Sequence, residues 1–478
     1  MTSTDDDLDA VALAGLVRSG AASPAELVSD AAERLRAAEP ALGAVVRERL
    51  DAAADEAAGP LPDGPFRGVP LLLKDLGCHV AGEPTWYGTS FLRDADWRSP
   101  VDSSLARGFR AAGFVVLGRT SVPELGTTVT TEPRAYPPAR NPWDLTRSAG
   151  GSSGGAAAAV AAGLVPVAHG SDGGGSIRIP ASLCGLVGLK PSRGRISQGP
   201  QVGEAWAGAT TDGVLSRTVR DTAAALDAIS GPWPGDPYTA PPPVRPFAQE
   251  VGADPGRLRV GLLPAPPQPD LDGDDDGRAA VLSAGRLLEQ LGHLVEESHP
   301  SDLGDERFSR HFNRSVAADV ALTVAQFGRA IGREIGDDEL EPRNVSYRGL
   351  GAAMSAVDYL TTRAWLAGFT RRVAGWWQEH DLLVTPTVNG AAPPLGWLEP
   401  RDDPKTGGRR VAAFMPYTAQ FNVTGQPAVS LPLHWTAGGL PVGVQLVGAY
   451  GREDLLLRVA AQLEQAAPWA GRRPSPPA

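Results

Sequence analysis

A stretch of apolar residues at helical spacing follows Ser23. The segment Ser23-Pro24-Ala25-Glu26 has the form of a capping box with proline at the first helical position. Apolar residues follow at helical spacing over residues 27–35. The pattern predicts that the chain opens with helices.

Short apolar runs alternate with helical segments from residue 68 onwards. The apolar run 68–73 stops at Lys74 and Asp75, which places this pair at the end of a predicted strand, a common position for active-site groups. A helix is predicted over 103–112 and a buried strand over 113–118. This alternation predicts an α/β fold.

The alternation continues towards the C-terminus, with no internal repeat. The later helices are predicted over 156–162, 277–291, 357–380 and 453–466, and the later strands over 164–168, 258–263, 382–384, 428–433 and 442–447. Eight prolines between Gly231 and Pro255 exclude regular structure there. Residues 231–256 are therefore predicted to be a surface connection and not a domain boundary.

Composition narrows the classes of protein that the pattern allows. The 478 residues include 44 Lys and Arg against 55 Asp and Glu, and the net charge of −11 argues against nucleic acid as a partner. The length fits about three domains or one large catalytic domain. Only three of the basic residues are lysine and 41 are arginine. A lysine in such a chain is a candidate for a role that arginine cannot fill.

The lack of a recognisable targeting signal and the small number of cysteines favour a cytoplasmic protein. Cys78 and Cys184 are the only cysteines, too few for a disulfide scaffold, so a reducing compartment is expected. The acidic N-terminus lacks the features of a signal peptide, and no apolar run reaches 18 residues. Neither secretion nor membrane spanning is expected.

Metal and phosphate chemistry find little support in the sequence. The seven histidines form no His-x-x-x-His pair, so a metal site is not expected. Two glycine clusters, at 150–155 and 173–175, lack the Gly-Lys-Ser/Thr ending of a phosphate-binding loop. Each cluster contains or adjoins serine, which favours a site over two simple turns.

One way to use these serines is a nucleophile elbow. The segment Gly150-Gly-Ser152-Ser-Gly154 matches Gly-x-Ser-x-Gly, which would make Ser152 the nucleophile of a Ser-Asp-His triad. That motif requires an apolar strand just before it, and residues 141–149 are a poor central strand. The elbow is therefore the less favoured enzymatic interpretation.

The other way is a serine activated by lysine. A lysine can accept a proton only if burial or neighbouring charge lowers the pKa of its amine. Lys74 follows an apolar run, which favours burial, although a surface ion pair with Asp75 is an equally open interpretation. For Lys190, beside a turn at Pro191, a structural ion pair is the favoured interpretation.

Motifs over nearly the whole chain resemble those of the amidase signature family. The most specific match is a core of about 40 residues. The matching segments are 68–75, 116–126, 141–144, 150–155, 165–181, 185–191, 212–221, 421–432 and 439–448.

The resemblance implies an α/β fold with a large mixed twisted central sheet covered by helices on both faces. It also implies a single amidase domain over residues 1–478. Within it, the signature core covers about 68–221, the proline-rich surface connection 231–256, and a C-terminal part of about 257–470 completes the sheet and the substrate pocket.

The resemblance also assigns a catalytic triad. Ser176 falls on the family's nucleophile, Ser152 on the bridging serine whose preceding peptide bond is cis, and Lys74 on the base. The backbone amides of the family's oxyanion hole fall on Gly173, Gly174, Gly175 and Ser176.

Further residues around the triad receive supporting roles. Asp172 and Arg178 are expected to brace the glycine turn through an ion pair, and Gly173 departs from the threonine that the family often has there, which opens the pocket. Gly126, Thr127, Ser153 and aromatic residues of 357–380 are expected near the substrate. Residues 301–350 carry no motif that we can interpret.

Two segments, 168–176 and 416–427, are most similar to the bacterial subgroup of 6-aminohexanoate cyclic-dimer, nylon-oligomer, aryl-amide and urethane hydrolases. The resemblance implies a cofactor-free amidase acting on C–N bonds other than peptide bonds, with a small-molecule or oligomeric amide as substrate. A homodimer is compatible with it. The alternatives are the glutamine-hydrolysing subunit of a tRNA-dependent amidotransferase and a non-catalytic binding protein on the same fold.

Overall fold

A computed structural model describes residues 8–400 and 403–475, which fold around one eleven-stranded sheet. The strands are β1 (Val45–Glu48), β2 (Pro70–Lys74), β3 (Val115–Thr120), β4 (Arg140–Asn141), β5 (Asp144–Ser148), β6 (Val167–Asp172), β7 (Val187–Lys190), β8 (Thr211–Ser216), β9 (Arg259–Leu262), β10 (Leu294–Glu297), β11 (Leu382–Pro386), β12 (Ala428–Trp435) and β13 (Pro441–Gly448). The helices are α1 (Ala10–Ser19), α2 (Pro24–Leu42), α3 (Leu50–Ala58), α4 (Ser90–Asp94), α5 (Ser104–Ala111), α6 (Gly154–Ala161), α7 (Arg178–Cys184), α8 (Val219–Ile229), α9 (Asp275–Gln290), α10 (Arg307–Ile331), α11 (Pro342–Ala352), α12 (Ala356–Ala374), α13 (Pro404–Phe414), α14 (Ala419–Thr424) and α15 (Glu453–Ala466).

The large sheet is mixed, as the sequence predicted. Its strand order is β1-β3-β2-β6-β8-β7-β12-β13-β11-β9-β10, and β4 pairs with β5 separately. The pairs β3/β2, β2/β6, β11/β9 and β9/β10 are parallel, and the remaining neighbours are antiparallel. Because β2 and β6 are parallel neighbours, the residues at their carboxyl ends meet at one edge of the sheet.

Helices cover both faces of the sheet. Side chains alternate between the faces of a strand, and the buried leucines of β2 divide accordingly. Leu71 and Leu73 pack in a core with α1, α5, α8, α9 and α15, whereas Leu72 packs in a second core with α2, α3 and α6. The predicted fold class is therefore confirmed.

Most predicted elements occur close to their expected positions, and one strand was placed wrongly. The capping box is confirmed, since Ser23 Oγ accepts from Glu26 N and Glu26 Oε2 accepts from Ser23 N. The strand predicted over 164–168 lies instead at Val167–Asp172. It begins after Pro166, which lacks an N–H donor for the ladder, and extends through polar residues that concealed it in the sequence.

The proline-rich connection contains one short 3-10 turn, Phe247–Gln249, between the end of α8 and the start of β9. Many of its residues are exposed. Among the helices of the described residues, none has the length and apolar character needed to cross a membrane.

Candidate active site

Three chain segments bring Lys74, Ser152 and Ser176 to one place. Lys74 is the last residue of β2, Ser152 lies in the glycine-rich loop between β5 and α6, and Ser176 lies in the turn between β6 and α7. The backbone amide of Ser153 donates to the carbonyl of Ser176 at 3.2 Å, which ties the two serine loops together. Ser176 lines a large cavity, whereas Lys74 is fully buried behind it.

The Lys74 amine has three polar neighbours. Nζ lies 2.8 Å from Ser152 Oγ, 2.9 Å from Ser171 Oγ and 3.3 Å from the carbonyl oxygen of Ser171. A neutral amine has two N–H donors and one lone pair, so it can donate both hydrogens to Ser171 and accept the Ser152 hydroxyl proton. An ammonium group can donate to all three oxygens. The three oxygens around Lys74 Nζ can therefore complete its hydrogen bonds both before and after it takes up a proton.

Burial lowers the pKa of Lys74 to about 7, although the carboxylates of Asp212 and Asp172 oppose this effect. The alternative of a surface ion pair with Asp75 is wrong, because Lys74 has no exposed surface. Burial also lowers the pKa of Lys190 to about 7. Lys190 Nζ donates to the carbonyl of Pro191 at 2.8 Å, and no ion pair to it occurs among the described residues. The contact with Ser152 therefore distinguishes Lys74, since a lowered pKa is common to both lysines.

The loop that carries Ser152 has the expected backbone. The peptide bond between Gly151 and Ser152 is cis. Ser153, expected at the substrate pocket, is instead fully buried, and its hydroxyl bonds to the backbone of Ser171. The structure therefore does not place Ser153 in the substrate pocket, because it does not line the cavity and its hydroxyl bonds to the strand that carries Ser171.

The glycine turn before Ser176 borders the cavity, which Gly174 and Ser176 line. Gly175 has a φ of 134°, a region that favours glycine. Its amide donates to Asp172 Oδ1 at 2.7 Å, so the prediction of four free amides is corrected to three. Within the described part of the chain, the amides of Gly173, Gly174 and Ser176 have no protein acceptor.

The ion pair predicted to brace this turn is confirmed. Arg178 Nη2 lies 2.9 Å from Asp172 Oδ1, and neither side chain is exposed. Burial would raise the pKa of Asp172, but the adjacent Arg178 holds it below its usual range. Arg178 also donates to Gln445 Oε1 at 2.7 Å and to Asn422 Oδ1. The turn is thereby fixed to α14 and β13.

A cavity of about 1020 Å³ opens above Ser176 and Gly174. Gly126 and Thr127 line it as predicted, and Thr127 Oγ1 donates to Asn344 Oδ1 at 2.7 Å. The aromatic residues of 357–380 do not line it, so that prediction is wrong. Part of its wall comes from the segment 301–350, for which the sequence suggested no role. The residues from this segment are Phe308, Ser309, Phe312, Asn313, Val316, Glu341, Pro342, Arg343, Ser346, Tyr347 and Leu350.

The side chain of Trp206 occupies the space next to Gly173. A Cβ atom added at Gly173 would lie 2.8 Å from Trp206 Cε3. The indole is held from behind, since its ring packs edge-on against Phe312 of α10 and its backbone amide donates to Asp319 of the same helix at 2.9 Å. The absence of a side chain at Gly173 thus admits Trp206 to the cavity wall.

We expect Gly173→Ala to destabilise the protein by about 1–3 kcal/mol, because the added methyl group overpacks a ring that cannot retreat. Urea denaturation measures the change in the free energy of unfolding. Gly349→Ala is the matched control, since nothing lies within 4 Å of its added Cβ. Adding Trp206→Phe to Gly173→Ala should recover most of the loss. Equal stability of Gly173→Ala and wild type would contradict the packing argument.

The donor set of the site favours acid–base chemistry over metal chemistry. The described residues contain no group of three or more His, Cys, Asp or Glu that could hold a metal ion. A serine hydroxyl facing a cavity, a second serine, a buried lysine and three free amides can together deliver a nucleophile, transfer its proton and hold a developing oxyanion.

Comparisons with known proteins agree with this geometry. The family model described as Amidase matches residues 26–457. The 6-aminohexanoate-cyclic-dimer hydrolase of Paenarthrobacter ureafaciens is 43% identical over 99% of this chain and 98% of the relative.

Two solved structures are similar over almost their full length. A 6-aminohexanoate cyclic dimer hydrolase complexed with substrate has a TM-score of 0.95 at 43% identity, covering 98% of this chain and 99% of the other. A bacterial aryl acylamidase of the amidase signature enzymes has a TM-score of 0.86 at 26% identity, covering 97% of each chain. The chain is thus an amide-hydrolysing enzyme and belongs to the amidase signature family.

Proposed function

We propose that this amidase works through an acyl-enzyme on Ser176, with Ser152 and neutral Lys74 as its proton relay. The observation that carries the proposal is the 2.8 Å contact between the buried Lys74 amine and Ser152 Oγ, next to a serine at the cavity floor. With a pKa of about 7, the amine is available as a base at and above neutral pH.

In the acylation half, Ser176 Oγ attacks the amide carbonyl carbon. Its proton passes to Ser152 Oγ while the Ser152 proton passes to Lys74 Nζ. The oxyanion receives hydrogen bonds from the amides of Gly173, Gly174 and Ser176, and each such donor contributes about 3 kcal/mol to transition-state stabilisation. The turn is rigid because Asp172 and Arg178 hold it, so the donors need little rearrangement.

Collapse of the tetrahedral intermediate breaks the C–N bond. Because an amide nitrogen is too basic to leave as an anion, the proton on Lys74 returns through Ser152 to that nitrogen. Water then attacks the carbonyl carbon of the ester on Ser176 and gives its proton to the same relay. As the bond between that carbon and Ser176 Oγ breaks, the relay returns the proton to Oγ. The products are the carboxylic acid and the amine, and the enzyme returns to its starting protonation state.

We further propose 6-aminohexanoate oligomers, cyclic or linear, as substrates, with anilides and urethanes as related classes. The name shared by the curated relative and the solved structure at 43% identity supports this choice. The cavity supports it as well, because about 1020 Å³ lies at the upper end of small-molecule sites and exceeds the needs of a short aliphatic amide. The aromatic rings of Phe308, Phe312 and Trp206 offer apolar contact to pentamethylene chains.

A substrate panel with the purified chain tests this choice. The panel contains the 6-aminohexanoate cyclic dimer, the linear dimer, an anilide, a urethane, acetamide and glutamine, and the measurement is release of amine or ammonia. We expect kcat/KM for a 6-aminohexanoate amide to exceed that for acetamide by about 10-fold or more, since buried methylene groups contribute on this scale.

The same panel separates the alternatives. Ser176→Ala must abolish every activity in it, whereas Ser301→Ala, at an exposed serine, must leave each unchanged. Preferred release of ammonia from glutamine would instead indicate the amidotransferase subunit. Absence of any hydrolysis would contradict the proposal.

We also propose that the chain acts as a single catalytic domain in the cytoplasm, either alone or as a homodimer. Support for the domain comes from the triad and the cavity wall, which draw on residues from Lys74 to Gln420. Support for a reducing compartment comes from Cys78 and Cys184, which are buried free thiols.

A further inference from the structure

A buried histidine and carboxylate lie directly behind Lys74, in positions that the sequence did not single out. His169 is on β6 and has no exposed surface, and Asp212 is at the start of β8. The backbone amide of Lys74 donates to His169 Nδ1 at 3.2 Å, and His169 Nε2 lies 3.1 Å from Asp212 Oδ1.

These contacts determine which nitrogen of the His169 imidazole carries the proton. Nδ1 accepts a hydrogen bond from an amide, so it carries no proton. The ring proton is therefore on Nε2 and is donated to Asp212. Burial lowers the pKa of His169 and keeps the ring neutral, although its bond to Asp212 opposes that effect. The pair consequently bears one negative charge, on the carboxylate.

Asp212 also approaches the other end of Lys74. In the antiparallel ladder of β6 and β8, Asp212 is directly opposite Ser171. Side chains at directly opposite positions project from the same face with Cβ atoms about 5 Å apart. Ser171 Oγ is itself 2.9 Å from Lys74 Nζ. Only the Ser171 side chain thus separates the Asp212 carboxylate from the Lys74 amine. His169 connects the same carboxylate to the backbone amide of Lys74.

We propose that His169 and Asp212 are positioning residues for Lys74, with His169 fixing its backbone and the Asp212 charge setting the proton affinity of its amine. This inference rests on the proposed role of Lys74 as the base. Asp172, the other carboxylate that acts on Lys74, is already neutralised by Arg178. Asp212 has no such cation among the described residues, and its charge is the larger of the two that favour the ammonium form of Lys74.

Other groups also face this cluster. They are Arg119 from β3, Asp172 from the end of β6, and Asp75, Cys78, His79 and Tyr87 from the segment after β2. Burial raises the pKa of Cys78 to about 12 and lowers that of His79 to about 4, so both stay neutral near pH 7. Burial raises the pKa of Asp75 to about 6. A pH profile alone would therefore not identify Lys74, and its own titration has to be observed.

The test uses the three lysines of the chain, which give only three side-chain signals by NMR after ¹³Cε/¹⁵Nζ-lysine labelling. Lys74→Met and Lys405→Arg assign them. A nearby anion favours the ammonium form, so Asp212→Asn should lower the titration midpoint of Lys74 by about one pH unit. Because the neutral amine is the active form, the acid limb of kcat/KM should move to lower pH by a similar amount.

Asp227→Asn is the matched control, since Asp227 caps the turn at Phe247 and Ala248 instead of contacting the site. It should leave the midpoint unchanged. His169→Gln retains the Asp212 charge, so it should leave the Lys74 midpoint unchanged. It should lower kcat by about 10-fold, the usual scale when a residue that orients a functional side chain is replaced. This second variant keeps the inference testable if Asp212→Asn does not fold by circular dichroism.

An unchanged or raised Lys74 midpoint in folded Asp212→Asn would overturn the charge role. Full kcat in His169→Gln would overturn the positioning role. Either result, obtained with wild-type enzyme that hydrolyses amides and a Lys74→Arg variant that does not, leaves the proposed function intact. Full turnover by Lys74→Arg would instead overturn the proposed function itself.

Discussion

The Ser176→Ala variant is expected to lose about 10⁴-fold or more of kcat, because removal of the nucleophile leaves only binding and the oxyanion amides to accelerate hydrolysis. Substrate affinity should change little, since the cavity wall is built by other residues. The measurement is single-turnover hydrolysis of the best substrate of the panel. Thermal unfolding of the variant should match wild type, because the hydroxyl faces the cavity.

Covalent labelling makes this prediction sharper. A fluorophosphonate should label one serine in the wild type, and peptide mapping should locate the label on Ser176. Ser301→Ala should retain both labelling and turnover. A label on Ser152 would favour the nucleophile-elbow interpretation, and the absence of any label would favour a non-catalytic protein. Normal turnover by Ser176→Ala would refute the assignment outright.

The second large effect is expected for Lys74→Arg, which should reduce kcat by about 10³-fold or more at neutral pH. A guanidinium group cannot lose its proton in this pH range, so it can neither accept the Ser152 proton nor return one to the leaving nitrogen. The buried pocket also provides no room for the larger head group. Initial rates between pH 5 and 9 check the prediction.

Two comparison variants separate chemistry from structure at this position. Lys74→Met has a similar length and no charge, so it should fold and remain inactive across the whole pH range. Lys405→Arg, at an exposed lysine of α13, should behave as wild type. Activity of Lys74→Arg close to that of Lys405→Arg would exclude Lys74 as the base.

The residue types of the chemical centre were conspicuous in the sequence, but the roles of Lys74, Ser152 and Ser176 came from the resemblance to the amidase signature family and stay predictions. Only lysine can supply an amine, and the scarcity of lysine in this chain made Lys74 conspicuous. Two glycine clusters with adjoining serines identified the loops of Ser152 and Ser176. The α/β class could be predicted from the periodicity of apolar residues, because the burial of both faces of a sheet requires that periodicity.

The part of the cavity wall on α10 could not be predicted, because its signal is that of an ordinary core. Phe308, Phe312 and Val316 are spaced four residues apart on α10, and such a stripe usually packs against a neighbouring helix. Similarly, His169 and Ser171 broke the apolar pattern that identifies a strand. The sequence signal for His169 and Ser171 was their position between Val167 and the glycine turn. Because they are two residues apart, they share one face of the strand.

The separation of the wall from the triad has a consequence for how new substrates can be acquired. The proposed catalytic groups come from β2 and the two glycine loops, whereas part of the enclosure comes from α10 and α11. Changes within 307–352 can therefore alter which molecules enter without disturbing proton transfer. Substitutions on these two helices are thus expected to change the substrate range while the reaction stays the same.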